Sequence, residues 1–227
     1  MTISTRRGEN PETEKSLVRW INMPNPEIAA AYDLIAERWA DDSFNKEDGL
    51  ALHKRALSFL EKPTVGTALN VGCGCNTRFN ALIKAHGLQL EGIDISPRMV
   101  EFARTGNPSI PVHLQDVCTW KPQRKYKLIT AWDSIWHVQL KEQHALMLKL
   151  MTALEPAGVI LFTAGGLDGP DEHSNSYMGP LLYYSTLGIP RLLDVIKQSN
   201  CIVRHLEFDQ LPEKHLCIVA QKAINEQ

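Results

Sequence analysis

Gly72 and Gly74 stand two apart directly after the apolar run Ala68-Leu69-Asn70-Val71, and Asp94 closes the next apolar run twenty residues beyond Gly74. A strand breaking into a Gly-x-Gly turn, then a helix, then an acid at the end of a second strand is the arrangement that seats a nucleoside at the carboxyl edge of a parallel sheet. A Cβ at either glycine would hold a ligand away from the backbone, and Cys73 between them belongs to the same turn. Asp94 then has a natural task, accepting hydrogen bonds from the two hydroxyls of a ribose. A lone Gly-x-Gly is also a common tight turn, so the spacing alone leaves that reading open. Thr77 stands where a dinucleotide fingerprint, Gly-x-Gly-x-x-Gly, has its third glycine. That removes the closest-packing position for a pyrophosphate and argues against NAD or FAD.

On the segments Asn70 to Asn76, Gly92-Ile93-Asp94-Ile95-Ser96-Pro97, Gln115-Asp116 and Lys127 to Val138, the chain resembles the class I S-adenosylmethionine (SAM) dependent methyltransferases, over roughly residues 28 to 222. Two positions depart from that family's pattern: Asn70 where an acid is usual, and Asn76 where a third glycine is usual. Asparagine is the non-glycine residue that best tolerates positive φ, so Asn76 is compatible with the turn, whereas Asn70 brings no charge toward a sulfonium. The resemblance implies SAM as cofactor. It would be held by Gly72, Cys73 and Gly74, by Asp94 with Ile95, by Asp116 accepting from the adenine amine, and by Val117 on the adenine face. Trp132 and Trp136 would lend ring faces to the cofactor cation or to an aromatic substrate, and Tyr32 and Trp39, on a leading helix, would close the site. Packing in the core accounts equally well for Trp132, Trp136 and Tyr32, and better for Trp39.

Methyl transfer from a sulfonium is an in-line displacement in which the enzyme chiefly aligns the nucleophile and strips water from it. A base is needed only where the acceptor carries a proton at working pH, so no fixed catalytic set is demanded. Asp133 and His137, just past the fourth strand, are the candidates. Asp133 would deprotonate or orient an acceptor, and His137, with an unperturbed pKa of about 6.5, is the better general base on chemical grounds. A solvent-facing or helix-capping histidine is the plainer alternative.

The elements that must position these residues read as an alternating series. Helices from Pro26 (Ile28, Ala31, Tyr32, Ile35 and Trp39 at spacings of three and four) and from about Lys46 to Leu60 precede the first strand. Strands are expected at Ala68–Val71, Leu90–Asp94, Ile110–Leu114, Tyr126–Ala131 and Val159–Thr163. Helices lie between them over about Thr77–His86, Pro97–Thr105 behind a Ser96 cap, and Lys141–Leu154. Helix Ile189–Ser199 and two strands, Ile202–Phe208 and His215–Gln221, end the series; their short connection makes them an antiparallel hairpin. The fold class is therefore α/β, a Rossmann-like three-layer αβα sandwich on a seven-stranded, mostly parallel sheet with one antiparallel strand near the C-terminus, preceded by N-terminal cap helices. Residues 1–15 read as a flexible tail, 16–63 as the cap, and 64–227 as the SAM-binding domain. Residues 167–188, turn-rich and bearing Tyr177, Met178, Tyr183 and Tyr184, read as a substrate lid or an oligomer contact.

Composition narrows the function further. A net charge of −2 over 227 residues offers no field for nucleic acid or an acidic membrane. Five cysteines without zinc spacing suit a reduced cytoplasmic protein, and the first residues lack the apolar core of a signal peptide. No histidine spacing suggests a metal. The expected protein is a monomer or homodimer that methylates a small molecule or small peptide. A nicotinamide oxidoreductase is disfavoured by Thr77, by the closing hairpin and by the lack of a Tyr-x-x-x-Lys pair. A methyltransferase-like protein that binds nucleoside without turnover stays open through Asn70 and Asn76.

Overall fold

The computed structural model describes residues 25–41, 45, 47–75 and 78–224. Asn76, Thr77 and the expected 1–15 tail lie outside the described residues.

Helices α1 (Asn25–Ala40) and α2 (Leu50–Leu57) lead into β1 (Gly66–Val71), α3 (Asn80–Ala85), β2 (Leu88–Asp94), α4 (Pro97–Gly106), β3 (Val112–Leu114) and β4 (Tyr126–Ala131). A 3₁₀ turn (Ile135–His137) and α5 (Leu140–Thr152) follow, then β5 (Leu154–Gly165), β6 (Asp171–Asn175), β7 (Leu182–Thr186), α6 (Gly188–Gln198), β8 (Cys201–Phe208) and β9 (His215–Lys222). The main sheet runs β3-β2-β1-β4-β5-β9-β8. All neighbours from β3 to β5 pair in parallel, and β9 runs antiparallel to both β5 and β8. This is the expected seven-stranded sheet with one reversed strand.

Apolar residues on both faces of each central strand produce the three layers. Leu69, Val71 and Ile129 pack against Leu146, Met147 and Leu150 of α5 and Leu192, Val195 and Ile196 of α6. Ala68, Leu128 and Leu161 pack on the other face against Leu52, Ala56 and Leu57 of α2, Ile83 of α3 and Val100 of α4. Chain order reverses between β1 and β4, and the crevice of an open α/β sheet lies at the carboxyl ends of such a strand pair. Gly72 follows one of these strands and Asp133 the other.

Helix α1 is laid over that edge. Its Asp33 Oδ1 accepts from Ser96 Oγ at 2.5 Å and from the Arg98 amide at 3.0 Å, putting a carboxylate at the positive end of α4. Ser96 also caps α4 itself, accepting from the Met99 amide at 3.1 Å.

Residues 167–188 differ from the long loop expected of them. Strands β6 and β7 form a separate two-stranded antiparallel sheet with His173 opposite Tyr184 and Ser174 opposite Tyr183. The β6 segment, Asp171-Glu172-His173-Ser174-Asn175, has no apolar residue, so its strand character comes from pairing with β7 and not from its own pattern. The hairpin packs on α1 through Ile28, Ala31, Leu182 and Tyr183.

Candidate active site

Where β1 ends, Gly72 adopts φ 61° and Gly74 φ 54°, the left-handed region that favours glycine. A Cβ on Gly72 would fall 2.3 Å from Ser134 Cβ, while Ser134 Oγ donates to the Val71 carbonyl at 2.9 Å. Gly72 is thus required by the close approach of the segment after β4, a reason additional to the ligand access expected from sequence. The Cys73 amide donates to Ile93 O at 3.1 Å, joining the turn to β2. The turn also grips Asp94: the Gly74 amide donates to Asp94 Oδ2 at 2.8 Å and the Ser96 amide to Oδ1 at 2.9 Å. Burial pushes the Asp94 carboxyl up, against these backbone hydrogen bonds, which pull it down. A carboxylate offers about four acceptor sites, so beyond its backbone donors Asp94 keeps capacity for an incoming hydroxyl.

These residues open onto a cavity of about 490 Å³ at the carboxyl edge of the sheet. All eleven candidates line it: Gly72, Cys73, Gly74, Asp94, Ile95, Asp116, Val117, Trp132, Tyr32, Asp133 and His137. Asn70 lines it as well, so an amide stands at the position where an acid was the usual pattern. Asp116 Oδ1 accepts from the Cys118 amide at 2.8 Å. Lys149 Nζ, on α5, holds the same loop by donating to the carbonyls of Val117, Cys118 at 2.9 Å and Trp120 at 3.1 Å.

His137 is buried with both ring nitrogens engaged. Nδ1 lies 2.7 Å from the Tyr183 carbonyl, which can only accept, so Nδ1 carries the proton. Nε2 is then the acceptor, shared by Tyr32 Oη at 2.7 Å and Trp136 Nε1 at 3.0 Å. Burial pushes its pKa down to about 4. The expectation of a general base here meets a lone pair already taken by two donors.

Asp133 differs. Its φ of 51° turns the residue out of the β4 path, and its amide donates to Thr163 Oγ1 at 2.8 Å. Oδ1 accepts from Thr163 Oγ1 at 3.2 Å and from His215 Nε2 at 2.9 Å. The other His215 nitrogen, Nδ1, donates to Asp209 Oδ1 at 2.5 Å. Burial opposes a charge on His215, yet its hydrogen bonds to Asp133 and Asp209 prevail and raise its pKa to about 8.

Asp209, His215 and Thr163 were missed from sequence because they reach the site from the strand ends farthest along the chain, and only the reversal of β9 delivers His215. Arg78 was missed too. It lines the cavity, lies over Phe79 at 4.7 Å, donates to Asn45 O at 3.2 Å and meets Asp48 at 4.0 Å. Trp132 is 5% exposed, and its Nε1 has no hydrogen-bond partner among the described residues.

The aromatic segment divides. Met178 and Tyr184 line the cavity, Tyr177 is 93% exposed, and Tyr183 is a core residue. The Tyr183 hydroxyl donates to Glu172 at 2.6 Å and accepts from the Leu140 amide at 3.0 Å.

The model of a family described as "Methyltransferase domain" matches residues 44–224. A trans-aconitate 2-methyltransferase of Methylobacterium radiotolerans is 38% identical over 104 residues, 44% of this chain and 38% of that protein. A dTDP-3-amino-3,6-dideoxy-alpha-D-glucopyranose N,N-dimethyltransferase of Streptomyces fradiae is 28% identical over 137 residues, 60% of this chain and 52% of that protein. The matched segments therefore span about 38–52% of the length of these relatives. Magnesium protoporphyrin IX methyltransferase from Synechocystis PCC 6803, solved with bound SAM, superposes with a TM-score of 0.67 at 12% identity, covering 89% of this chain and 99% of that one. A SAM-dependent methyltransferase from Mesorhizobium loti gives 0.59 at 18% identity over 77% of this chain and 99% of that one. At such identities the solved structures establish a shared fold.

Proposed function

This chain belongs to the methyltransferase family whose domain description its residues 44–224 match, and on that premise we propose that it transfers a methyl group from SAM to a small-molecule nucleophile. The observation that carries the reading is the Gly74–Asp94 contact. A buried carboxylate is tied to a glycine turn at the switch point of the sheet, it keeps acceptor capacity beyond its backbone donors, and a cavity of nucleoside size lies in front of it.

The residues present fit the donor. Asp94 would accept the ribose hydroxyls, Asp116 the adenine amine, and Ile95 and Val117 would flank the base, with Gly72, Cys73 and Gly74 offering bare backbone. When bound, SAM supplies a methyl group on an already activated sulfonium. What remains for the protein is alignment and exclusion of water. Helix α1 and the β6–β7 hairpin cover the cavity and set its size, which favours a small molecule over a folded polymer. Asp133, turned outward and held by His215 and Thr163, orients the acceptor. His137, neutral and doubly engaged, positions Tyr32 and Trp136 over the cavity in place of the base role its chemistry first suggested. Trp132, its N–H without a hydrogen-bond partner among the described residues, offers a donor as well as a ring face.

The remaining expectations extend this reading: a cytoplasmic protein, monomer or homodimer, without nucleic acid or membrane partners. Among the described residues no helix is long and apolar enough to cross a membrane, and no group of three His, Cys, Asp or Glu side chains is placed to hold a metal.

Titration calorimetry with S-adenosylhomocysteine (SAH) and NAD tests the donor site. SAH is expected to bind and NAD not to; the reverse would overturn the reading. Transfer of radiolabelled methyl groups from SAM to candidate acceptors tests turnover. SAH binding with no transfer to any acceptor class would favour a nucleoside-binding protein without turnover, the reading that Asn70 in place of an acid keeps in view.

A further inference from the structure

Resting on the donor site just described, we infer that the nucleophile taken by this cavity is an amine, bound by donating to Asp133. Relatives do not choose the acceptor: one is a trans-aconitate methyltransferase and another an amino-sugar N,N-dimethyltransferase. The walls of the cavity do choose.

Charge is the first argument. The acids lining the cavity are Asp48, Asp94, Asp116 and Asp133 and the basic residues are Arg78, His137 and His215; Tyr32, Tyr184 and Cys73 line it too, each held neutral by burial. His137 is held neutral by the Tyr183 carbonyl on Nδ1 and two donors on Nε2. Both N–H groups of His215 are committed to Asp133 and Asp209. Arg78 is engaged by Asp48, the Asn45 carbonyl and the Phe79 ring. With Asp94 and Asp116 given to the donor, Asp48 and Asp133 remain for the acceptor, and the two cations near them, Arg78 and His215, are already committed to these acids. A carboxylate or phosphate acceptor would find no cation that is not already shared with an acid, and would compete with Asp48 or Asp133 for it. A nitrogen carrying protons needs no cation and can donate to an acid directly.

Geometry is the second. Asp133 Oδ1 is fixed by Thr163 and His215, while Oδ2 has no hydrogen-bond partner among the described residues and the side chain is 38% exposed. That oriented, unspent acceptor is the group an N–H recognises. The wall beside it is aromatic. His137 and Tyr184 rings lie 4.8 Å apart, Trp136 is 6.4 Å from Tyr184, and Trp136 meets His215 edge-on at 5.3 Å. Aromatic faces next to a carboxylate favour a small ammonium or amine over an anion.

The chemistry balances on these groups. An arriving ammonium passes one proton to Asp133 Oδ2 and thence to water at the open side of the residue. The freed nitrogen lone pair forms the new N–C bond as the C–S bond breaks, its electrons going to sulfur. The product leaves as the methylated ammonium.

The test compares three fragments of one shape, cyclohexylamine, cyclohexanol and cyclohexanecarboxylate, by saturation-transfer NMR and competition on the full chain, with and without SAH. The amine is expected to bind about tenfold more tightly than either analogue, and Asp133→Asn is expected to bring all three within about twofold of one another. Asparagine tolerates the φ of 51° at this position, and thermal unfolding checks that the variant is folded. A carboxylate or alcohol that binds as well as the amine in the wild type overturns the inference, as does an amine preference that survives Asp133→Asn. The wild-type arm decides even where the variant does not fold. The arm without SAH reads acceptor preference whatever the donor site does, so failure of the donor reading shows separately.

Discussion

Tyr32 and His137 lie 105 positions apart in the chain and are joined at 2.7 Å, the phenol of the cap helix α1 donating to the imidazole of the 3₁₀ turn after β4. The rings meet edge-on with centroids 5.3 Å apart. The imidazole is in turn set by the Tyr183 carbonyl of the hairpin. One histidine therefore ties together the floor, the cap and the hairpin of the cavity.

Tyr32→Phe removes the hydroxyl and leaves Trp136 as the sole donor to His137 Nε2. The expected cost is about 1 kcal/mol of global stability. Amide exchange in α1 is expected to quicken more than elsewhere, because Asp33 and Ile28 remain to hold the helix but its contact with the floor is gone. Urea denaturation and hydrogen exchange read the two effects.

Asp94→Ala is expected to weaken SAH by about 1.5–3 kcal/mol, the scale of hydrogen bonds to a charged group. The substitution also deprives the Gly74 and Ser96 amides of their acceptor, so the thermal midpoint without ligand is expected to fall as well. Calorimetry showing wild-type affinity would remove Asp94 from the donor site.

Gly72→Ala forces a side chain into φ 61° and against Ser134 Cβ at 2.3 Å. A loss of about 1–3 kcal/mol is expected for the strained backbone alone. Combining it with Ser134→Gly is expected to recover the steric part of the loss and not the backbone part, as read from urea midpoints.

Lys149→Met leaves the carbonyls of Val117, Cys118 and Trp120 without their shared donor. The ammonium is partly exposed to water, so the loss of stability is expected at the low end of about 1–3 kcal/mol. Weaker SAH binding is expected with it, since that loop carries Asp116 and Val117.

Stability is expected to peak near pH 6.5–7 and to fall on both sides. His215, raised to about 8, binds more protons folded than unfolded between roughly 6.5 and 8. Its contribution is complete below that window and lost as pH rises through it, a drop of about 2 kcal/mol. His53 and His137, both pushed down to about 4 by burial, bind fewer protons folded than unfolded below their ordinary range. They remove stability as pH falls from about 6.5 toward 4. Urea midpoints at pH 5, 6.5 and 8.5 check both arms. A midpoint that rises between pH 6.5 and 8.5 would contradict the clamp on His215.

The sequence by itself determined the sheet, its order of elements, and the turn and acid that we propose hold the donor. Alternating apolar runs, Ser96-Pro97 at a helix start and the Gly72-Cys73-Gly74 turn followed by Asp94 are all local signals, each set by neighbours a few residues away. Tertiary structure alone decided the rest. His137 reads as a base until the Tyr183 carbonyl and the Tyr32 phenol are brought to its two nitrogens, and no periodicity encodes that meeting. Asp171-Glu172-His173-Ser174-Asn175 becomes a strand only because Leu182 to Thr186 pairs with it. His215 enters the site because β9 runs antiparallel to β5, which sets its first residue against Gly165 and brings its ring to Asp133. Short-range propensity is written along the chain, whereas the charge state of a side chain is set by whatever the fold packs against it.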